Sequence, residues 1–472
     1  MRDLCLDAVA AALAGGAEYA DARAVVRRSQ SVWTKNGRVE SVLDDESEGI
    51  GVRVLVGGAW GFACDRRLTR AGAREAAARA CGFARASGGR GPKALAPLIG
   101  PHEGSFRTPH EQDPIDVPLG DKIALCLAAG EALAGPDVLV AQAFVRAQRE
   151  HKTLVSSEGV DVAQELVACG GGIDALATHG GVSQLRSYPS AHTGSSGAAG
   201  WEYVLGLDLA GEAPRVAEEA AALTRADVAP TGVLDVVIDA EQMALQVHES
   251  VGHPTELDRI HGTEAAYAGT SFIRPSDLGT LRYGSERMSV TADATTPTGL
   301  GTFGWDDEGV PASRRPIVEE GVLAGFLDSR ETGGGGSMRA ESWNRMPLVR
   351  MTNLHLEPGS GSLDELLDGV REGIWFETNR SWSIDDKRQN FQFGTQIARE
   401  IRDGKLGRLL RDATYTGITP SFWGSLDAVA GPEEWKLFGL TNCGKGQPGQ
   451  VAHVSHGAAP ARFRGVQVGV GS

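Results

Sequence analysis

GVLDVVIDAEQMALQVHESVGHPTELD, residues 232–258, sets the organisation of the chain. Leu234–Ile238 reads as a buried strand, because it is a short apolar, β-branched run bounded by turn residues. Asp239 then stands where a helix N-cap belongs, with Gln242 three residues on in the capping-box position. The helix that follows carries His248, Glu249 and His253, two imidazoles and a carboxylate within six residues. That set suits a bound divalent metal with a carboxylate beside it to move protons. The familiar zinc-protease motif has its histidines four apart, so that both face one ion. Five apart, on a regular helix, leaves the second ring roughly 140° round from the first. Gly252 and Pro254 offer a way to close the gap. The residue before proline avoids helical dihedrals, and glycine tolerates the left-handed ones that end helices. The helix is expected to stop near Gly252 or to widen there into a π-type turn, bringing His253 back toward His248.

The text on either side differs in character. Beyond residue 255 it is turn-rich with short apolar runs, which predicts a β-rich C-terminal domain, 230–472, carrying the HExxxH helix. Ala229-Pro230-Thr231-Gly232 marks its start. Residues 1–229 read as an N-terminal α/β domain, an antiparallel sheet with flanking helices, so the expected class is α+β. Helices are predicted over Leu4–Leu13, Thr69–Ala86, Leu119–Leu133 and Pro214–Thr224. Strands are predicted at Tyr19–Val26, Ser31–Lys35 and Val52–Val56, with Gly57-Gly58 as a hairpin turn. Val138–Tyr188 is strand-like, with turns expected at Ser157-Glu158-Gly159 and Gly170-Gly171-Gly172. Residues 87–116 are rich in Gly and Pro and read as a linker or surface wrap.

At 472 residues, 41% hydrophobic, the chain can bury a large core. A net charge of −15 argues against nucleic acid as a partner, since phosphate binding wants a basic surface. The six cysteines are scattered without a CxxC pair, which is no disulfide framework. The opening MRDLCLDAVAAALAGG is interrupted by Asp3 and Asp7 and reads as an amphipathic helix rather than a signal peptide. No stretch approaches a membrane span. The expected compartment is the cytoplasm, with no membrane partner.

A catalytic zinc takes three protein ligands and leaves one position for water. Cys443, flanked by glycine in TNCGKGQ with Lys445 nearby to favour a thiolate, is the strongest distant candidate for the third. Glu256 and Asp258, just after the motif, and His453 and His456, just after Cys443, compete with it. Glu256 also suits the role of a carboxylate holding an imidazole. Glu249 is the natural general base, next to a ligand and able to take a proton from a metal-bound water.

HESVGHPTELD, then Gly304–Gly309 (GWDDEG), Asp328–Thr332 (DSRET), Arg350-Met351-Thr352-Asn353 and NCGKGQPGQ, in that order over residues 233–460, resemble the TldD/PmbA family of metallopeptidases. The likeness is to the TldD-type, metal-bearing member. It implies that His248, His253 and Cys443 bind one Zn2+ per active chain and that Glu249 is catalytic. It also implies a peptidase for small or unfolded peptides, reached through an enclosed dimer cavity in which the substrate lies extended against a protein strand. The dimer would be a homodimer or a heterodimer with a TldE/PmbA-like subunit. Arg350, Asn353 and the Asp306-Asp307-Glu308 run would line the channel, with turn stabilisation and surface charge as their competing roles. Residues 381–435 depart from the best-known bacterial pattern. Two other readings remain, a non-catalytic scaffold subunit and a zinc amidohydrolase acting on small molecules. The glycine-rich Gly299–Gly304 lacks the strand-then-helix setting of a nucleotide loop.

Overall fold

The structure, a computed structural model, describes residues 1–89, 93–191 and 194–469. Residues 90–92 of the Gly/Pro-rich wrap and 470–472 of the C-terminal region lie outside the described residues. The architecture is α+β, as expected. An eight-stranded sheet runs in the order Ala59–Asp65, Arg38–Val56, Tyr19–Lys35, Val138–Ser156, Asp161–His179, Glu103–Arg107. Val182–Tyr188 and Ser195–Gly197 also pair with Asp161–His179. Gly57 and Gly58 turn the hairpin between Arg38–Val56 and Ala59–Asp65, both at positive φ, with Val56 opposite Ala59.

One face of this sheet is lined by small residues that let helices approach closely. Ala20, Ala22 and Ala24 pack with Arg2–Ala14 and Arg70–Ser87, and Val32, Ala143 and Val145 pack with Leu119–Ala132 and Leu209–Leu223. The opposite face carries buried charge, and a charge out of water must be paired. Arg53 meets Glu308 at 3.1 Å, and Lys152 meets Asp307 at 3.0 Å. Asp306 accepts from the backbone N–H groups of Val310, Gly336 and Met338. The acidic run at 306–308 therefore fastens the first sheet to the C-terminal half and is not surface charge.

Three local expectations need correction. The wrap contains a strand, Glu103–Arg107, parallel to Asp161–His179. Gly170-Gly171-Gly172 makes no turn but lies inside that 19-residue strand. Gln242 does not complete a capping box; Asp239 accepts from the Glu241 N–H, while Gln242 donates to the Tyr415 hydroxyl.

In the C-terminal half, Glu372–Ile384 pairs with both Gly232–Ile238 and Asn390–Arg402. Together with Ala461–Val468 and Thr414–Ile418 these strands close into a ring. Phe376, Phe391, Phe393, Tyr415, Phe422 and Phe463 pack within it. A six-stranded sheet stands alongside, in the order Val322–Leu323, Arg314–Glu319, Val290–Asp293, Asn353–Leu356, Gln450–Ala458, Lys436–Lys445. The helix Ala240–Val247 packs against strands of both sheets, and every residue from 240 to 257 is buried. Its polar side chains are accordingly bonded: Glu241 accepts from Ser190 Oγ and the Asn379 N–H, and Gln246 Nε2 donates to Ser250 Oγ. Among the described residues no helix is long and apolar enough to cross a membrane.

Candidate metal centre

After Val247 the α-helix widens into a π turn over His248–Gly252, and the N–H of His253 donates to the carbonyl of His248. Of the two expected geometries, stopping or widening, this is the second. The extra residue in the turn makes the five-residue spacing bring both rings together, their centroids 4.8 Å apart and nearly perpendicular at 84°. A π turn disturbs the regular carbonyl ladder, and neighbours serve its carbonyls here. Tyr283 donates to Ser250 O, and Thr255 Oγ1 to Val251 O at 2.8 Å. Gly252 leaves room for Met351, since a Cβ there would stand 2.3 Å from Met351 Sδ and the methionine side chain would have to move.

Cys443 comes from the strand Lys436–Lys445, whose pairing with Gln450–Ala458 shifts register between Leu440 and Cys443. Such irregularities re-aim side chains. Arg350, buried, donates to the carbonyl oxygens of Cys443 and Gln450 and so ties the strand down. Cys443 Sγ lies 3.8 Å from His253 Nε2, and one donor atom each from His248, His253 and Cys443 falls within 4.8 Å of the others. Ordinary Zn–N and Zn–S lengths in a tetrahedron put nitrogen and sulfur roughly 3.5 Å apart, so the His253–Cys443 pair needs only a small contraction and the set as a whole must draw together to hold one ion.

Hydrogen bonding assigns the ring nitrogens. His456 Nδ1 lies 3.1 Å from the Leu354 carbonyl, which can only accept, so that nitrogen carries the proton. Burial, with His248 nearby, holds His456 well below the ordinary histidine pKa, so the ring is neutral and its Nε2 accepts. The partner across 2.7 Å, His248 Nδ1, must then donate, which leaves His248 Nε2 with a free lone pair. His253 Nδ1 faces Glu256 at 3.1 Å. Burial opposes ionisation of Glu256, but Lys445, His253 and Arg259 outweigh it and hold its carboxyl well below the usual range. His253 therefore donates through Nδ1, and its Nε2 faces the sulfur. Burial would push the Cys443 thiol up, but the neighbouring Arg350 guanidinium works against this, and the thiol lies below its ordinary value. Two imidazole lone pairs and a sulfur biased toward thiolate converge here, the donor chemistry that zinc prefers.

Glu249 lines the same pocket with Leu245, Trp382, Phe438, Leu440 and Arg388. Its Oε2 accepts from Arg388 Nη1 at 3.1 Å. The remaining expected residues are placed as follows. Glu256 holds His253, and Asp258 pairs with Lys445 at 2.8 Å. Asn353 is engaged outside the pocket lining, accepting from the Gly301 N–H and donating to Asp293 O and Thr302 Oγ1, which fixes the Gly299–Gly304 loop. His453 lies apart from the cluster beside Arg339 and Glu150 in a second pocket, where burial and the neighbouring arginines push its pKa down to about 3. Sequence reasoning did not foresee Arg388, which sits in the divergent 381–435 segment with no motif around it. It named His456 only as a possible ligand.

Models of three consecutive family segments match the chain: PmbA/TldA metallopeptidase domain 1 over residues 20–84, the central domain over 112–228 and the C-terminal domain over 231–470. A metalloprotease of Methanothermobacter thermautotrophicus is 29% identical over 96% of this chain and 95% of its own. A metalloprotease of Synechocystis sp. is 31% identical over 94% of each. TldE from Thermococcus kodakarensis, 14% identical, shares the fold with a TM-score of 0.76 over 99% of this chain and 100% of its own.

Proposed function

Because the chain belongs to the PmbA/TldD family of metallopeptidases, we propose that it hydrolyses small or unfolded peptides at a zinc ion held by His248, His253 and Cys443, with Glu249 as general base. The observation that carries this reading is the meeting of the three donors within 4.8 Å in a lined pocket, with both free lone pairs assigned. A zinc ion there supplies a Lewis acid that polarises a carbonyl and brings the pKa of water close to neutrality.

The protein's own groups do the rest. Glu249 accepts a proton from the attacking water on a carboxylate oxygen and returns it to the departing amine nitrogen, so that the C–N bond breaks without expelling an amide anion. His456 and Glu256 keep both rings in the tautomer that offers Nε2. Leu245, Phe438 and Leu440 supply apolar contact for an extended chain. A dimer, either of two copies or with a TldE/PmbA-like subunit, would enclose this pocket, which suits substrates short or unfolded enough to enter. Light scattering, alone and with such a subunit, distinguishes the two assemblies.

Metal analysis and hydrolysis of a peptide library test the site. One zinc per chain is expected, lost in Cys443→Ala. Glu249→Gln is expected to keep the zinc and lose hydrolysis. Full activity of Glu249→Gln, or folded protein that takes up no divalent ion, would overturn the proposal.

A further inference from the structure

Arg388 lies in the turn between the strands Glu372–Ile384 and Asn390–Arg402, 139 residues from Glu249 in sequence. Its φ is +61°, left-handed, where turns usually place glycine or asparagine. Such a backbone persists only where its surroundings over-determine it, and it clusters at functional sites. The turn is strapped on three sides. The Arg388 N–H donates to Asp385 O at 2.9 Å, the Gln389 N–H to Asp385 Oδ1 at 2.7 Å, and Thr419 Oγ1 to Arg388 O at 3.0 Å. The side chain it delivers runs inward. Nη1 lies 3.1 Å from Glu249 Oε2 and Nη2 lies 3.2 Å from Ala268 O. Among the described residues no other hydrogen bond reaches the Glu249 carboxylate.

The geometry points to Arg388 as the positioning residue for Glu249 in peptide hydrolysis, acting through the base and not on the peptide. The guanidinium is itself anchored on Ala268 O, and its one charge-assisted hydrogen bond holds a single carboxylate oxygen, Oε2, in place. With Oε2 engaged, Oε1 is left to take the proton. A guanidinium has no acceptor and does not release its own proton, so it orients the base without exchanging protons with it. Lysine in this place would offer a mobile point charge, and histidine a competing base. The inference rests on the reading of Glu249 as general base.

Steady-state kinetics of Arg388→Ala on the zinc-loaded protein test it. We expect kcat to fall about 10- to 100-fold, the usual effect of removing an orienting partner. KM should stay within about twofold, because no substrate contact is removed. Zinc content and thermal midpoint should match the parent. Arg388→Lys should restore little of the loss, and added guanidinium at millimolar concentration should restore part of it. In a Glu249→Asp background the carboxylate is withdrawn by one methylene, and Arg388→Ala should cost less than about twofold more. If Arg388→Ala does not fold, Arg388→Met, which keeps bulk and has no N–H donor, replaces it in the same comparison. A raised KM with kcat preserved, lost zinc, or an equal loss in both backgrounds would overturn the inference. Should Glu249→Gln remain active, the base assignment itself fails. Should Glu249→Gln be inactive while Arg388→Ala behaves as the parent, this inference alone fails.

Discussion

His456 lies outside the lining of the pocket, yet it sets which nitrogen His248 presents there. Its own Nδ1–H is committed to Leu354 O, so its Nε2 has only the acceptor role. His456→Leu keeps bulk but removes that acceptor, and the His248 ring is then free to adopt the other tautomer. Zinc affinity should fall about 10- to 100-fold by competition with a chromogenic chelator, whereas His456→Gln, with an amide oxygen to accept, should lose less. A second histidine limits acid stability. His355 Nδ1 accepts from the Gly457 N–H at 2.8 Å, and its Nε2 meets Thr296 Oγ1 at 2.7 Å, so the folded protein requires the neutral ring. Burial pushes its pKa down from 6.5 to about 4. As pH falls below 6.5 the unfolded chain takes up this proton first, so the contribution is intact above that value and is lost progressively toward pH 4. The full loss is about 3 kcal/mol, and urea unfolding of the parent against His355→Gln across this window should show a shallower pH slope in the variant.

At the scale of elements, the π turn joins sequence spacing to ring geometry. Its weak point is Gly252, where an added methyl would meet Met351 Sδ at 2.3 Å and Leu354 Cδ2 at 3.3 Å in a fully buried setting. Gly252→Ala should cost about 1–3 kcal/mol in denaturant unfolding, because the buried Met351 side chain must leave its place beside the turn to make room. This turn was legible because glycine and proline bracket His253, and both bias the backbone in known directions. The Gly57-Gly58 hairpin was legible for the same reason, that the local chemistry has few alternatives. Gly170-Gly171-Gly172 shows the limit of that logic. A Cβ at Gly171 would stand 2.7 Å from Phe144 O, and one at Gly170 would stand 2.2 Å from Ser196 Oγ, so these glycines answer to close packing inside a strand. The same letters signal a turn or a tight contact, and only the tertiary partner separates the two. Arg388 was hidden more completely, since its meaning depends on a carboxylate 139 residues away.

At the scale of the whole molecule, the candidate centre joins pieces that fold as separate elements. The two histidines sit on a helix packed between two sheets, and Cys443 sits on the strand Lys436–Lys445, which lies at the edge of one of them. His253 and Cys443 are 190 residues apart, so the unfolded chain has no comparable site. Bound metal should therefore stabilise the folded state by mass action, about 2.7 kcal/mol at a free ion concentration a hundred times the dissociation constant. The stabilisation should concentrate where the donors meet, slowing amide exchange in residues 436–445 and 248–257 and leaving the first sheet, held by its own helices and the Arg53–Glu308 and Lys152–Asp307 pairs, almost unchanged. Cys443→Ala should abolish the shift while leaving the metal-free protein close to the parent, because Arg350 fastens the same strand through backbone carbonyls that the substitution retains. Urea unfolding with zinc and with excess chelator, in parent and variant, checks the magnitude, and hydrogen exchange checks the location. A zinc-dependent shift that persists in Cys443→Ala would place the ion elsewhere.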